Sequence, residues 1–291
     1  MTDAVLVTGA STGLGRETAL HLAGRGFTVY AGMRDLGRRE ALDESARRRG
    51  VELHPLQLDI TSSGEIRSAV ETVIERSGAL YGLVNNAGVG LRGYFEDQSE
   101  QEIRDLFEAN VFGTMSMTRA VLPSMRAAGR GRIVIITSVG GKIGSLGVST
   151  YCSTKFAQEG FGESLAQEVA PLGIQVSLVE PAIIRTERWG INRGTARMAL
   201  SPDSPYSGWF REAERLADRL VESSRTSPES VARAVHLALT AKRPRLRYMV
   251  GRRAGLVVAL RRYMPGEMFE RIYFGGAVRR VTKAAAHRAA E

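Results

Sequence analysis

The chain has a single cysteine, Cys152, in 291 residues. One cysteine can form neither an intramolecular disulfide nor a cysteine-based metal cluster, and the four histidines form no metal-like grouping with Asp or Glu, so no metal is expected. No apolar run reaches the roughly 18 residues of a transmembrane helix. The first residues also lack the basic and apolar regions of a signal peptide. These absences predict a cytoplasmic protein.

Lysine is scarce as well, with 4 Lys beside 36 Arg in a chain of net charge +9. The segment 242–291 carries 13 basic and 3 acidic residues, so the rest of the chain is nearly neutral. No nucleic-acid-binding motif accompanies this basic tail, and we expect no nucleic-acid partner. Peripheral contact of the tail with an anionic membrane is a less favoured alternative, because its apolar segments are short.

Short apolar runs alternate with helix-period segments along most of the chain. The strand-like runs are 4–8, 28–33, 52–58, 82–84, 132–137, 175–179 and 247–250. The helical patterns between them are 14–25, 39–49, 64–77, 100–127, 150–170 and 228–241. Seven strands separated by helices predict one doubly wound α/β domain, a parallel sheet with helices on both faces.

Two segments depart from this alternation. Residues 187–224 form an insertion rich in Gly, Pro, Arg and Trp, which we interpret as a lid over the active site, with a plain surface excursion as the alternative. Residues 252–291 predict a basic, helical C-terminal extension. Bulky apolar side chains concentrate in both segments, including Trp189, Ile191, Met198, Tyr206, Trp209, Phe210, Met264, Met268, Phe269, Tyr273 and Phe274. They predict a bulky, mostly apolar substrate; packing against the body or a second subunit is the alternative.

A glycine-rich turn follows the first predicted strand and opens the first helix. It reads Thr-Gly-Ala-Ser-Thr-Gly-Leu-Gly over residues 8–15. Glycines let the backbone turn sharply and approach a pyrophosphate, which then meets free N–H groups at the helix N-terminus. The spacing Gly-x-x-x-Gly-x-Gly differs from the Gly-x-Gly-x-x-Gly of most dinucleotide folds. With this octapeptide the chain resembles the short-chain dehydrogenase/reductase family.

The resemblance continues in chain order through Asp59, the Asn-Asn-Ala-Gly of residues 85–88, Ser138 and the Tyr-x-x-x-Lys of residues 151–155. It implies a seven-stranded Rossmann fold of order 3-2-1-4-5-6-7. It also implies four catalytic residues, Asn110, Ser138, Tyr151 and Lys155, with Asn110 holding a relay water. The cofactor-binding set that it implies, with Arg34 added, is Gly9, Ser11, Thr12, Gly13, Leu14, Gly15, Arg34, Asp59, Ile60, Asn86, Ala87, Gly88, Tyr151, Lys155, Pro181, Ile184 and Thr186. Ala182 stands where the family usually has glycine.

The chemistry of the Tyr151 pair follows from its spacing. Reducing a ketone requires a proton donor beside the carbonyl oxygen while hydride arrives on carbon. Residues four apart on a helix share a face, so Lys155 lies beside Tyr151. Its positive charge favours tyrosinate and brings the pKa of Tyr151 towards neutral pH. Ser138, at the carboxyl end of a strand, can donate a hydrogen bond to the substrate oxygen.

The end of the second strand indicates the cofactor. An acidic residue there favours NAD by accepting from the ribose 2′-hydroxyl. Met33 holds that position, and Arg34 follows, placed to stack on adenine and pair with a 2′-phosphate. Arg16 is a second candidate for that phosphate. We therefore expect NADP(H), although Asp35 would bring a carboxylate closer if the strand ended one residue later.

The sequence therefore predicts an NADPH-dependent ketoreductase acting on a polyketide-, steroid- or retinoid-like ketone. Two alternatives stay open. One is a secondary alcohol dehydrogenase working oxidatively with NAD or NADP, and the other is a dinucleotide-binding sensor without turnover. The helices predicted over 100–127 and 150–170 are the usual dimer faces of the family, which implies a homo-oligomer, either dimer or tetramer.

Overall fold

A central parallel sheet organises the chain. The computed structural model describes residues 2–184 and 193–289. Its strands are β1 Ala4–Thr8, β2 Thr28–Met33, β3 His54–Gln57, β4 Gly82–Asn85, β5 Gly90–Arg92, β6 Gly131–Ile136, β7 Ile174–Pro181, β8 Arg193–Thr195 and β9 Arg247–Val250. Every residue of β1 is buried, as a strand covered on both faces requires.

Seven of these strands form one sheet of order β3-β2-β1-β4-β6-β7-β9, with every neighbouring pair parallel. Counted within this sheet alone, the order is 3-2-1-4-5-6-7, so the predicted fold class is confirmed. The order reverses beside β1, and a ligand crevice in such sheets lies at this switch point, at the carboxyl ends of the strands. The third strand is shorter than predicted and the sixth runs on to Pro181.

Helices cover both faces of the sheet. They are α1 Gly13–Ala23, α2 Glu40–Arg49, α3 Ser63–Ser77, α4 Glu100–Phe107, α5 Gly113–Ala127, α6 Ser149–Val169, α7 Ser207–Glu222, α8 Pro228–Thr240, α9 Arg252–Tyr263, α10 Gly266–Phe269 and α11 Gly275–Ala289. Side chains alternate across β1, so Leu6 joins the core under one helical layer. Val5 and Val7 join the core under the other.

The helix predicted over 100–127 is interrupted. A π-helical turn, Glu108–Phe112, separates α4 from α5, and in it the Gly113 N–H donates to the Glu108 carbonyl, five residues back. Asn110, on this turn, is fully buried. Single π-helical turns inside α-helices occur frequently at functional sites.

The insertion contributes β8 and α7. Strand β8 pairs with β5 in a separate two-stranded sheet, and an ion pair joins Arg92 of β5 to Glu214 of α7. The C-terminal helix α11 packs on α7, where Arg288 pairs with Glu212 at 2.6 Å. Three residues named above, Thr186, Trp189 and Ile191, lie outside the described residues.

Two features are absent from the described residues. Within residues 2–184 and 193–289, no helix is long and apolar enough to cross a membrane. The same part of the chain holds no group of three His, Cys, Asp or Glu side chains suited to a metal ion.

Candidate active site

The glycine turn between β1 and α1 depends on its missing side chains. Gly9 and Gly13 have φ of +66° and +57°, which favours glycine. A Cβ on Gly9 would lie 2.8 Å from Ala87 Cα, and one on Gly15 would lie 2.2 Å from the Gly9 carbonyl oxygen. The turn therefore closes tightly on β1 and on the segment after β4.

Hydrogen bonds fix this turn to the end of β4. Asn86 donates its side-chain amide to the carbonyls of Thr8 and Gly9, at 2.9 and 3.2 Å. The Thr8 hydroxyl oxygen accepts from the backbone N–H groups of Asn86 and Ala87, at 3.0 and 2.9 Å. Two neighbouring strand ends are thereby held as one rigid floor.

This floor fits the pyrophosphate of a dinucleotide. Residues 11–14 are only half-buried at the start of α1, and the first turn of that helix holds no acidic residue. The first N–H groups of an α-helix have no acceptor within the helix, and together with the positive end of the helix dipole they favour an anion at this place. Gly88, after Ala87, packs so closely on Asn110 that a Cβ would lie 2.9 Å from its Oδ1.

The ends of β2 and β3 form the next part of the crevice. Met33 is fully buried and Arg34 is exposed. The Asp35 carboxylate accepts from the Gly37 N–H at 2.9 Å, so it caps a local turn. After β3, the Asp59 carboxylate accepts from both the N–H and the hydroxyl of Thr61. The next residue, Ile60, is buried.

Ser138 and Tyr151 meet at the carboxyl end of β6. The Ser138 side chain accepts from the Gly140 N–H at 3.0 Å, which fixes its position, and it is hydrogen-bonded to Tyr151. Burial raises the pKa of Tyr151, and the Ser138 hydrogen bond opposes this rise. The sequence predicts a pKa lowered by Lys155. In the structure, burial is the larger effect and keeps the phenol protonated.

Lys155 lies one helical turn from Tyr151, on the same face of α6. Its Nζ is 5.8 Å from the centroid of the Tyr151 ring. The ammonium donates to the Ile136 carbonyl at 3.0 Å and to Gln158 Oε1 at 2.8 Å. Burial lowers the pKa of Lys155 to about 8, and the nearby Glu159 carboxylate opposes this decrease. The cation is therefore held in place and close to its titration point.

The Asn110 side chain forms hydrogen bonds to two separate segments of the chain. Its Oδ1 accepts from the Val89 N–H at 2.8 Å. Its Nδ2 donates to the Val89 carbonyl and to Thr154 Oγ1, at 2.9 and 3.1 Å. Asn110 thus joins the segment after β4 to α6, between Tyr151 and Lys155.

The last predicted cofactor segment begins at the end of β7. Pro181 and Ile184 are buried, and Ile184 belongs to the core cluster around β7 and β9. The Ala182 N–H donates to the Val250 carbonyl at 2.9 Å. Gly251, which follows Val250, leaves space for the Ala182 methyl group, because a Cβ on Gly251 would lie 2.6 Å from that methyl carbon. Thr186, also in the predicted set, lies outside the described residues.

An aromatic roof, comprising Tyr94, Tyr206, Trp209 and Phe210, lies over this site. The rings of Tyr94 and Tyr206 stack at 4.9 Å with an interplanar angle of 7°, and Trp209 lies 6.0 Å from Tyr206. Buried Phe210 belongs to a small apolar cluster against which Tyr94 and Tyr151 both pack. The insertion therefore reaches the predicted catalytic tyrosine.

The structure adds residues that the sequence did not single out. Tyr94 is an isolated aromatic without a motif. Gln158 is a polar residue on α6 that is only 2% exposed. A polar residue at a position where the helix faces the core was the one sign of it in the sequence. Buried Glu159 and Glu180 share Lys142 and Arg247 as ion-pair partners.

The chain is similar to known proteins along most of its length. Bos taurus retinol dehydrogenase 8 is 36% identical over 275 residues, which is 92% of this chain and 88% of that protein. A solved short-chain dehydrogenase from Streptomyces avermitilis is 34% identical, with a TM-score of 0.77, over 94% of this chain and 98% of that one. A structure of actinorhodin polyketide ketoreductase with NADPH is 31% identical, with a TM-score of 0.71, over 82% and 91%.

The family model described as short chain dehydrogenase matches residues 3–195. The match therefore includes the glycine turn and the Ser138, Tyr151 and Lys155 positions, and it ends in β8. The chain is an oxidoreductase that belongs to the short-chain dehydrogenase family.

Proposed function

We propose that this protein is an NADPH-dependent ketoreductase that acts on a bulky, largely apolar ketone, with Tyr151 as the general acid. One observation carries the proposal. The Tyr151 side chain is hydrogen-bonded to Ser138 and lies beside the Lys155 ammonium, at the same sheet edge as the glycine turn. A proton donor, a polarising hydroxyl and a cation therefore lie together at the place where the nicotinamide end of a bound dinucleotide would lie.

The proton chemistry follows from the two side chains. Ser138 orients the substrate carbonyl by donating a hydrogen bond to its oxygen. Tyr151 is protonated at neutral pH, because the ordinary pKa of a tyrosine is about 10 and burial raises the pKa of Tyr151 further, so it can give its proton to that oxygen. The Lys155 ammonium then stabilises the tyrosinate that remains. The nicotinamide, when bound, supplies the hydride to the carbonyl carbon.

The raised pKa of Tyr151 also favours reduction over alcohol oxidation. A general acid must carry its proton when the ketone binds, whereas a general base must have lost it. The phenol of Tyr151 carries its proton over most of the physiological range, so oxidation of an alcohol would need a higher pH. Ketone reduction is therefore the direction that we propose.

The preference for NADPH rests on the end of β2. Met33 contributes no carboxylate, and Asp35 caps its own turn through Gly37. Arg34 follows Met33 and is exposed. A guanidinium pairs with a phosphate through two parallel hydrogen bonds. The ketoreductase structure that contains NADPH agrees with this choice.

The substrate class rests on the aromatic roof. Tyr206 and Trp209 contact Tyr94, which packs on the same apolar cluster as Tyr151, and such a group of rings suits an apolar ligand of substantial size. The similarity to a retinol dehydrogenase and to a polyketide ketoreductase supports the same class.

The test follows NADPH consumption by the purified protein with a panel of ketones graded in size and polarity, with NADH assayed in parallel. We expect turnover to favour large apolar ketones and NADPH. The Tyr151→Phe variant should lose at least about 10²-fold in turnover while still binding NADPH, because general acid catalysis has this magnitude. Near-normal turnover in that variant would reject the assignment.

A further inference from the structure

Gln158 lies between two of the four predicted catalytic residues. It follows Lys155 by three positions on α6, so both side chains share one helix face. Its side chain is buried, with 2% of the residue exposed. A buried amide is destabilising unless its donors and acceptor find partners. The partners that Gln158 has therefore indicate why it is there.

These partners are Lys155 and the π-helical turn. Gln158 Oε1 accepts from Lys155 Nζ at 2.8 Å. Its Nε2 donates to the Asn110 carbonyl at 2.6 Å and to Thr114 Oγ1 at 3.0 Å. Thr114 in turn donates to the same Asn110 carbonyl at 2.8 Å. The amide thus connects the ammonium directly to a backbone carbonyl on another helix.

We propose that Gln158 is a positioning residue, whose amide holds the Lys155 ammonium towards Tyr151 by connecting it to the Asn110 carbonyl. The inference rests on the proposed function for its catalytic part. An ammonium has three N–H donors, and Ile136 and Gln158 take two of them. The Asn110 carbonyl accepts from the side chains of both Gln158 and Thr114.

Charge around Lys155 makes the neutral amide important. The groups facing it are Tyr151 and Glu159 on its own helix. Around Glu159 lie Lys142 after β6, Glu180 on β7 and Arg247 on β9. Lys142 pairs with Glu159 at 2.5 Å and Arg247 does so at 3.2 Å. Glu159 also pairs with Lys142 and Arg247, so its charge is shared among several cations. Gln158 Oε1, in contrast, accepts its hydrogen bond from Lys155.

The first experiment measures Lys155 itself. The chain contains only four lysines, Lys142, Lys155, Lys242 and Lys283, so NMR of protein labelled at the lysine ε-carbon resolves few signals. Lys155→Met identifies the relevant one. In Gln158→Met, which keeps the length and removes both polar contacts, the Lys155 titration midpoint should fall by about one pH unit, because a buried ammonium loses an acceptor. In Gln158→Glu, a carboxylate faces the ammonium and the midpoint should rise.

The second experiment follows ketone reduction against pH. The high-pH limb of kcat/KM should move to lower pH in Gln158→Met and to higher pH in Gln158→Glu. At neutral pH, Gln158→Met should lose about tenfold in kcat/KM or more, since misplaced catalytic groups lose rate, while NADPH binding persists. Gln167→Met, an exposed glutamine on the same helix, is the matched control and should shift neither measurement.

The outcomes separate the two proposals. Opposite shifts in the two Gln158 variants support the positioning role, because general loosening of the fold would not reverse sign with charge. An unchanged Lys155 titration in Gln158→Met, or shifts in the same direction for both variants, would overturn it. If the wild-type protein reduces no ketone, the proposed function fails, and the lysine titration still decides the role of Gln158.

Discussion

The side-chain amide of Asn86 lies 2.4 Å from the position that a Cβ would take on Gly15. The same amide donates to the carbonyls of Thr8 and Gly9 and so holds the glycine turn in shape. The glycine turn therefore requires both a residue without a side chain at position 15 and the side-chain amide of Asn86.

Gly15→Ala should abolish cofactor binding and destabilise the protein. The new methyl group would displace either the Gly9 carbonyl, 2.2 Å away, or Asn86. Overpacking of this kind costs about 1–3 kcal/mol. Urea unfolding and NADPH fluorescence titration measure the two effects. Gly64→Ala on α3 is the control, since its Cβ would have only Ser62 Oγ within 4.0 Å. Wild-type NADPH affinity in Gly15→Ala would contradict the role given to this turn.

Arg34→Ala should reduce the preference for NADPH over NADH. In the proposed function, the exposed guanidinium pairs with the 2′-phosphate of NADPH, which NADH lacks. Losing a charge-assisted hydrogen bond costs about 1.5–3 kcal/mol, or roughly 10- to 100-fold in kcat/KM with NADPH. Values with NADH should stay the same. Arg48→Ala, which removes another exposed arginine from α2, should change neither. An unchanged cofactor ratio in Arg34→Ala would exclude Arg34 as the specificity residue.

Glu180→Gln should stabilise the protein at high pH and not at low pH. Burial, followed by repulsion from Glu159, raises the pKa of Glu180 to about 7. The folded protein therefore binds an extra proton between about pH 4.5 and 7, and stability falls as pH rises through that window. Above pH 7 the cost is fully present, and the glutamine removes it.

The expected gain at about pH 8 is on the order of 1–3 kcal/mol, decreasing to little at about pH 5. Chemical denaturation at the two pH values measures the difference between variant and wild type. Glu168→Gln, at an exposed position of α6, should show no such dependence on pH. A gain that is equal at both pH values would mean that Glu180 is ionised throughout.

Trp209→Ala should affect large substrates selectively. The ring lies 6.2 Å from Tyr94 and 6.0 Å from Tyr206, so it completes the aromatic roof. Removing an aromatic contact surface loses about 1.5–3 kcal/mol for a ligand that covers it. For large apolar ketones kcat/KM should fall about tenfold or more, and for small ketones it should change little. Leu220→Ala, also exposed on α7, is the control. Equal losses for all ketones would place Trp209 away from the substrate.

Much of the fold and part of the site could be predicted because their signals are local. Strands buried on both faces show as continuous apolar runs, and the predicted strands differ from the observed ones by at most two residues at either end. The glycine turn and the Tyr151–Lys155 pair are each contained within one short segment. Spacing alone therefore indicated their geometry.

The remaining features depend on contacts between distant segments. Gln158 reaches the Asn110 carbonyl across 48 residues of sequence, and Arg92 reaches Glu214 across 122. No local pattern specifies such a pair. The sequence also predicts the wrong direction for the pKa shift of Tyr151, because the burial of its side chain depends on packing between distant segments that no local pattern shows.

The π-helical turn between α4 and α5 has a consequence for comparing this chain with other sequences. Such a turn holds roughly one residue more than an α-helical turn, and each residue of an α-helix advances the side-chain direction by about 100°. A helical wheel drawn straight through residues 100–127 will therefore assign the wrong face to everything after Phe112. An alignment gap of one residue near Asn110 would mark a relative with an uninterrupted helix, in which the asparagine points elsewhere.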